Sequence, residues 1–147
     1  MKPKMIKAFM ECTETFAKLS TAERSKVGCI IVKDNRILSI GYNGTPPGWD
    51  NKCEWVCEDG KGYETGNTKP WVIHAEANCL AKMAKANDSS NGADMFVTLS
   101  PCIECAKQIM SAGIKNVYYK ESYRCSDGIE FLEKCGINVY QVKEERE

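Results

Sequence analysis

His74, Cys102 and Cys105 are side chains of the kinds that bind zinc, and Glu76 stands two positions past the histidine. His74 is the only histidine in the chain. One histidine and a C-x-x-C pair can hold zinc tetrahedrally with the fourth position open. An open position marks a catalytic zinc, where water binds and loses a proton near neutral pH. Glu76 would reach that water without touching the metal. Lewis acid, hydroxide and proton carrier are the parts needed to attack an amidine-like carbon and expel ammonia. Each part has a plainer reading alone. A lone histidine is more often packed or on the surface, and a C-x-x-C in a reduced protein could be redox-active or structural. Glu76 could be a solvated glutamate stabilising the positive end of a helix.

The ordered combination, His74-Ala75-Glu76 followed by Pro101-Cys102-Ile103-Glu104-Cys105, is more specific. H-x-E with P-C-x-x-C is the signature of zinc nucleobase deaminases. On these residues the chain resembles the cytidine and deoxycytidylate deaminase superfamily. The resemblance implies that the Ala75 amide and carbonyls of Thr98-Leu99-Ser100 contact the base.

The elements that must position these residues follow from periodicity. Residues 3 to 19 predict a helix, with Ile6, Phe9, Met10, Thr13, Phe16, Ala17 and Leu19 on one side. Ser20 to Glu23 has the spacing of a capping box but precedes strand character, so at most a turn starts there. Val27 to Val32 and Arg36 to Tyr42 predict a hairpin across Asp34-Asn35. Asn43 to Pro70 reads as a long irregular stretch rich in glycine, with Trp49 and Trp55 in it and Trp71 just beyond. A loop of this length suits a ligand-covering lid. Residues 74 to 87 predict a helix, Met95 to Leu99 a strand, and Ser100-Pro101 the cap and first position of another helix that Gly113 ends. In that helix Cys102, Cys105, Ala106, Ile109 and Met110 are expected on the buried face. Asn116 to Lys120 is a strand, Asp127 to Cys135 a helix, Ile137 to Val142 the last strand, and Lys143 to Glu147 a frayed charged tail. Strands alternating with helices from Met95 onward imply parallel pairing. The expected fold is a three-layer α/β/α domain spanning 1–147, with a mixed five-stranded sheet. Two helix N-termini, at His74 and Cys102, would meet at one spot and favour thiolates there.

Composition bounds the partners. Twenty basic and twenty acidic side chains cancel, and the pI is near 6.6. This lacks the electrostatic footprint of a nucleic-acid binder and favours a small substrate. No apolar run approaches the ~18 residues of a membrane span. Without an export signal, the nine cysteines read as thiols and metal ligands in a cytoplasm-like compartment, the host's if the chain is phage-encoded.

Further segments narrow the substrate. Gly41-Tyr42-Asn43-Gly44-Thr45-Pro46-Pro47-Gly48 is similar to the G-Y-N-G-x-P-x-G segment of deoxycytidylate deaminases. Arg24 to Gly28, Ile73 to Asn78 and Leu99 to Lys107 resemble the same family. The chain resembles compact phage and bacterial members of that family. The resemblance implies conversion of dCMP to dUMP and ammonia, which supplies dUMP for thymidylate synthesis. It also implies that Asn43 binds the deoxyribose hydroxyl, although an Asn-Gly turn at positive φ explains Asn43 equally well. A phosphate needs donors and positive charge, and Ser25, Lys26, Tyr123 and Arg124 are the candidates at strand ends. Lys26 and Arg124 taken singly also fit solvated surface charges.

By the same resemblance the chain would form a homohexamer, activated by dCTP and inhibited by dTTP. A magnesium-bearing triphosphate site would then involve Arg24, Tyr42, Gly44 and Trp49. Some relatives carry a second, structural zinc that uses extra histidines. This chain lacks them, and Cys53 with Cys57 is a weak substitute, so one metal is expected. Two other readings stay open: a nucleoside or tRNA deaminase of the same fold, and a silent zinc-binding or nucleotide-sensing module.

Overall fold

The computed structural model describes residues 1–56 and 63–144. The elements in chain order are α1 (Pro3–Ala17), β1 (Gly28–Lys33), β2 (Arg36–Tyr42), β3 (Glu54–Val56), β4 (Tyr63–Thr68), α2 (Ala75–Met83), β5 (Asp94–Leu99), α3 (Ile103–Ser111), β6 (Asn116–Glu121), α4 (Asp127–Lys134) and β7 (Asn138–Gln141). Five strands form one sheet in the order β2-β1-β5-β6-β7. β1 runs antiparallel to both β2 and β5, whereas β5-β6 and β6-β7 are parallel. This is the mixed three-layer architecture that the alternation of strands and helices predicts.

Side-chain alternation along β1 separates the two faces. Ile30 and Val32 join Phe9 and Met10 of α1, with Phe96 and Tyr118 beside them. Cys29 and Ile31 face the opposite layer, where Cys79, Met83, Ile109 and Leu132 come from α2, α3 and α4. Both faces are covered, so β1 needs apolar residues at every position from Cys29 to Val32, all fully buried. Asp34 and Asn35 both take positive φ, at 52° and 59°. That is the left-handed pair a two-residue hairpin turn needs, and the short polar side chains tolerate it.

Five expectations need correction. The first helix ends at Ala17, so Leu19 lies beyond it and is exposed. The 43–70 stretch contains a small antiparallel sheet, β3 with β4. A three-residue strand and Tyr-Glu-Thr-Gly-Asn-Thr carry too little apolar alternation to announce themselves. The helix at 74 ends at Met83, because Ala84, Lys85 and Ala86 tighten into bonds to Ala81, Lys82 and Met83. Cys102, not Ser100, caps α3. The Ser100 hydroxyl instead accepts the Tyr123 amide at 2.7 Å. Met110 is 39% exposed and leaves the buried face to Cys105, Ala106 and Ile109. At the start of the tail Glu144 forms an ion pair with Lys120, which also holds Glu14 of α1. Cys57, Gly60 and Gly62 lie outside the described residues, as does the end of the tail. No helix among the described residues is long and apolar enough to cross a membrane.

Candidate active site

Two close approaches set the site. A Cβ built on Gly41 of β2 would come within 2.5 Å of the Ala75 carbonyl and 2.7 Å of the Cys79 amide. Only glycine lets the first turn of α2 lie directly on the sheet. A Cβ on Gly128 would collide with the Pro101 carbonyl and reach the Cys102 carbonyl carbon at 3.0 Å. The start of α4 is thus pressed against the chain that enters α3. The N-caps brought together this way are His74 for α2 and Cys102 for α3.

His74 Nδ1 lies 3.3 Å from Cys105 Sγ and 3.7 Å from Cys102 Sγ. Ligand atoms on one tetrahedral zinc, with Zn–S near 2.3 Å and Zn–N near 2.0 Å, stand about 3.6 Å apart. The donor atoms of all three residues fall within 4.8 Å of one another. The donor set and its spacing fit zinc. Cys105 is buried, while His74 and Cys102 line a cavity of about 490 Å³, so an ion held here would have its fourth side toward that cavity.

The electrostatics of the protein alone agree with a site built for a cation. Hydrogen bonds from Cys105 and His74 hold the Cys102 thiol down to about 3, so it is a thiolate. Cys105 keeps the shared proton: its bond to Cys102, with burial, raises it well above an ordinary thiol. The bond to Cys102 likewise raises His74 against the effect of its burial. Glu76 is 5% exposed and sits on the cavity wall in the first turn of α2. Burial pushes its carboxyl up, against the pull of its own amide and of His74. A buried carboxyl at a cavity wall suits proton transfer better than a solvated helix-end charge.

The family model for the cytidine and deoxycytidylate deaminase zinc-binding region matches residues 3–121. The chain belongs to the cytidine and deoxycytidylate deaminase family. It is similar to the dCMP deaminase of cyanophage S-TIM5, solved in complex with dCMP and dUMP. The two share 46% identity at a TM-score of 0.86 over 98% of this chain and 99% of that one. It is 37% identical to ComE operon protein 2 of Bacillus subtilis, over 92% of this chain and 69% of that protein. It is 36% identical to the deoxycytidylate deaminase of Enterobacteria phage T4, over 80% of this chain and 79% of that protein.

Beyond the ligand cluster, this deaminase cavity gathers most of the candidates the sequence suggests. Ser25, Asn43, Ala75, Ser100, Tyr123 and Arg124 all line it. Lys26 does not, and its ammonium donates to the Ser20 carbonyl instead. Asn43 is not a left-handed turn residue. Its side chain accepts the Val27 amide at 2.9 Å and donates to the Ser25 carbonyl at 2.8 Å. It braces the neighbouring segment and keeps one amide hydrogen for another partner.

The residues expected at an effector site separate. Arg24 lines the same cavity as Glu76. The Gly44 amide is bonded to the Ile73 carbonyl, which in turn removes it from any phosphate cradle. Tyr42 uses its carbonyl to accept the Asn78 side chain. Trp49 packs on Trp71 at 5.8 Å, and Trp55 meets Trp71 edge-on at 5.5 Å. Lys69 lies 4.8 Å over the Trp55 ring. None of the three tryptophans lines the cavity among the described residues; Thr68 and Val72 form its wall nearby. The three tryptophans thus form an aromatic cluster beside the site, while Asn43, Glu54 and Thr68 of the same stretch line the cavity. Of the suggested second-metal pair, Cys53 is buried with its thiol 3.7 Å from the Thr21 hydroxyl. Among the described residues, the group that could hold a metal is His74, Cys102 and Cys105.

The sequence reading missed Glu54, Ser122, Thr68 and Val72 as cavity residues. Glu54 had no signal of its own, because the short strand that buries it was itself invisible.

Proposed function

We propose that this chain hydrolyses dCMP to dUMP and ammonia. The observation that carries the proposal is one cavity with His74, Cys102 and Glu76 in its wall together with Arg24 and Arg124. A cytosine ring has use for the first group and a phosphate for the second. The cyanophage and phage T4 relatives support the same substrate.

His74, Cys102 and Cys105 would hold the zinc, which supplies a Lewis acid that makes a bound water acidic near neutral pH. Glu76 accepts a proton from the attacking water and delivers it to the ring nitrogen N3 as the oxygen bonds to C4. Glu76 then takes the remaining hydroxyl proton to the C4 amine. The C4–N bond breaks, ammonia leaves with that electron pair, and C4 keeps a carbonyl. Ala75 and Ser100, both in the cavity wall, would meet the ring edge. Arg24, Arg124, Tyr123 and Ser25 supply charge and donors for the phosphate, and Asn43 offers its remaining amide hydrogen to the sugar.

The finer part of the proposal is regulation: dCTP with Mg²⁺ as activator, dTTP as inhibitor, and a hexameric assembly. Its support is the family resemblance of the 41–48 segment. Deamination of dCMP, deoxycytidine and dCTP should be measured with and without dCTP and dTTP, with zinc counted in the same sample. The expected outcome is turnover of dCMP at one zinc per chain, raised by dCTP and lowered by dTTP. Turnover of deoxycytidine but not dCMP would overturn the phosphate roles. Zinc without any turnover would favour a polynucleotide-acting deaminase or a sensor module.

A further inference from the structure

Residues 20–27 carry Arg24 and Ser25 along the cavity wall, yet belong to no helix, and only irregular chain connects α1 to β1. Such a segment must find other partners for its backbone. One end is braced by Asn43, through the Ser25 carbonyl and the Val27 amide. The middle is held by Glu54. This carboxylate stands at the start of β3, is 5% exposed, and lines the same cavity. Its Oε1 accepts the amides of Glu23 at 3.0 Å and Arg24 at 3.2 Å. β3 is itself anchored: Glu54 pairs with Thr68 of β4, and the Lys69 amide bonds to the Cys53 carbonyl at 2.8 Å. A buried carboxylate is costly unless hydrogen bonds compensate it. Here they go to the main chain that carries an arginine into the site.

We infer that Glu54 is a positioning residue for substrate recognition: it fixes the main chain at 23–24 so that Arg24 meets the nucleotide phosphate. The inference rests on the dCMP reading above. Glu54 acts through Arg24 and leaves the reacting atoms to Glu76. The small β3–β4 sheet then has a task, which is to deliver this carboxylate to a segment that has no regular structure.

The test is steady-state kinetics of E54A and E54Q with dCMP and with deoxycytidine, beside thermal unfolding. E54A should raise KM for dCMP by about ten- to hundredfold, the range expected when a hydrogen bond to a charged group is lost. Its kcat should stay within about threefold, and its kcat/KM for deoxycytidine should not change. E54Q keeps an oxygen that accepts both amides, so its KM should stay within about threefold of wild type. If E54A does not fold, E54D, one methylene shorter, must show the same split between substrates. Equal loss on both substrates, an unchanged KM in E54A, or E54Q as impaired as E54A would each overturn the inference. Wild-type failure on dCMP would overturn the dCMP reading and this inference with it. Wild-type activity on dCMP without the split overturns this inference alone.

Discussion

Glu76 is where the chemical argument is most exposed to test. Its carboxyl is buried and raised by that burial, and it sits two residues from His74 in the first turn of α2. A role in proton transfer requires a group that ionises; a role in holding the helix or the metal does not. Glu76→Gln keeps size and hydrogen bonding but cannot carry a proton. It should retain one zinc per chain and lower kcat by at least about a hundredfold, the lower end of general acid–base contributions. Zinc by mass or colour assay and kcat on dCMP decide it. Undiminished turnover would remove Glu76 from the mechanism. The residues of this cluster were legible in the sequence because metal chemistry restricts them to few types at fixed spacing. The phosphate side was only half legible. Arg124, Tyr123 and Ser25 reach the cavity, but nothing in a lysine's type reveals that Lys26 turns back to the Ser20 carbonyl. Arg24 was expected at a separate effector site. It lines the cavity on a main chain whose amide donates to Glu54, a residue about 100 Å away in a fully extended chain at ~3.3 Å per residue, and no local pattern encodes such a contact.

At the scale of elements, the site depends on helices seated closer than side chains would normally permit. Gly128 brings the start of α4 against Pro101 and Cys102, so a methyl there must push one of them away. Gly128→Ala should destabilise the protein by about 1–3 kcal/mol, as overpacking does. Because the displaced backbone carries Cys102, it should also lower zinc content. Gly44→Ala is the control. A Cβ there meets nothing within 4 Å, and its φ is not in the left-handed region. Thermal unfolding and zinc stoichiometry on both variants separate the two cases. A Gly128→Ala protein as stable and as fully loaded as wild type would show that α4 does not set the Cys102 position. The helices were readable because each buries one coherent face, and β1 because both of its faces are covered and demand an unbroken apolar run. What the sequence concealed were short features held by long-range contacts. Ser100 looked like a helix cap, but the Tyr123 amide claims its hydroxyl. Met110 looked buried, but the end of α3 turns it outward.

For the whole molecule, charge and cavity together select the size of the substrate. Twenty positive and twenty negative side chains leave no net field to attract a polyanion. Arg24 and Arg124, the residues proposed to meet the phosphate, lie in the wall of a cavity of about 490 Å³. A polynucleotide binder instead spreads lysines and arginines along a face that follows the backbone, and its affinity falls steeply with salt. A mononucleotide needs only one phosphate contact region, so the salt dependence of its KM should correspond to neutralising one phosphate. A single-stranded oligodeoxycytidylate, supplied at nucleotide concentrations equal to the KM for dCMP, should neither be deaminated nor compete. The measurement is dCMP turnover against added oligonucleotide at two salt concentrations, with the oligonucleotide assayed for uracil. Deamination within the strand, or competition that fades with a steep salt slope, would mean that the chain engages nucleic acid through a face that its balanced charge does not reveal.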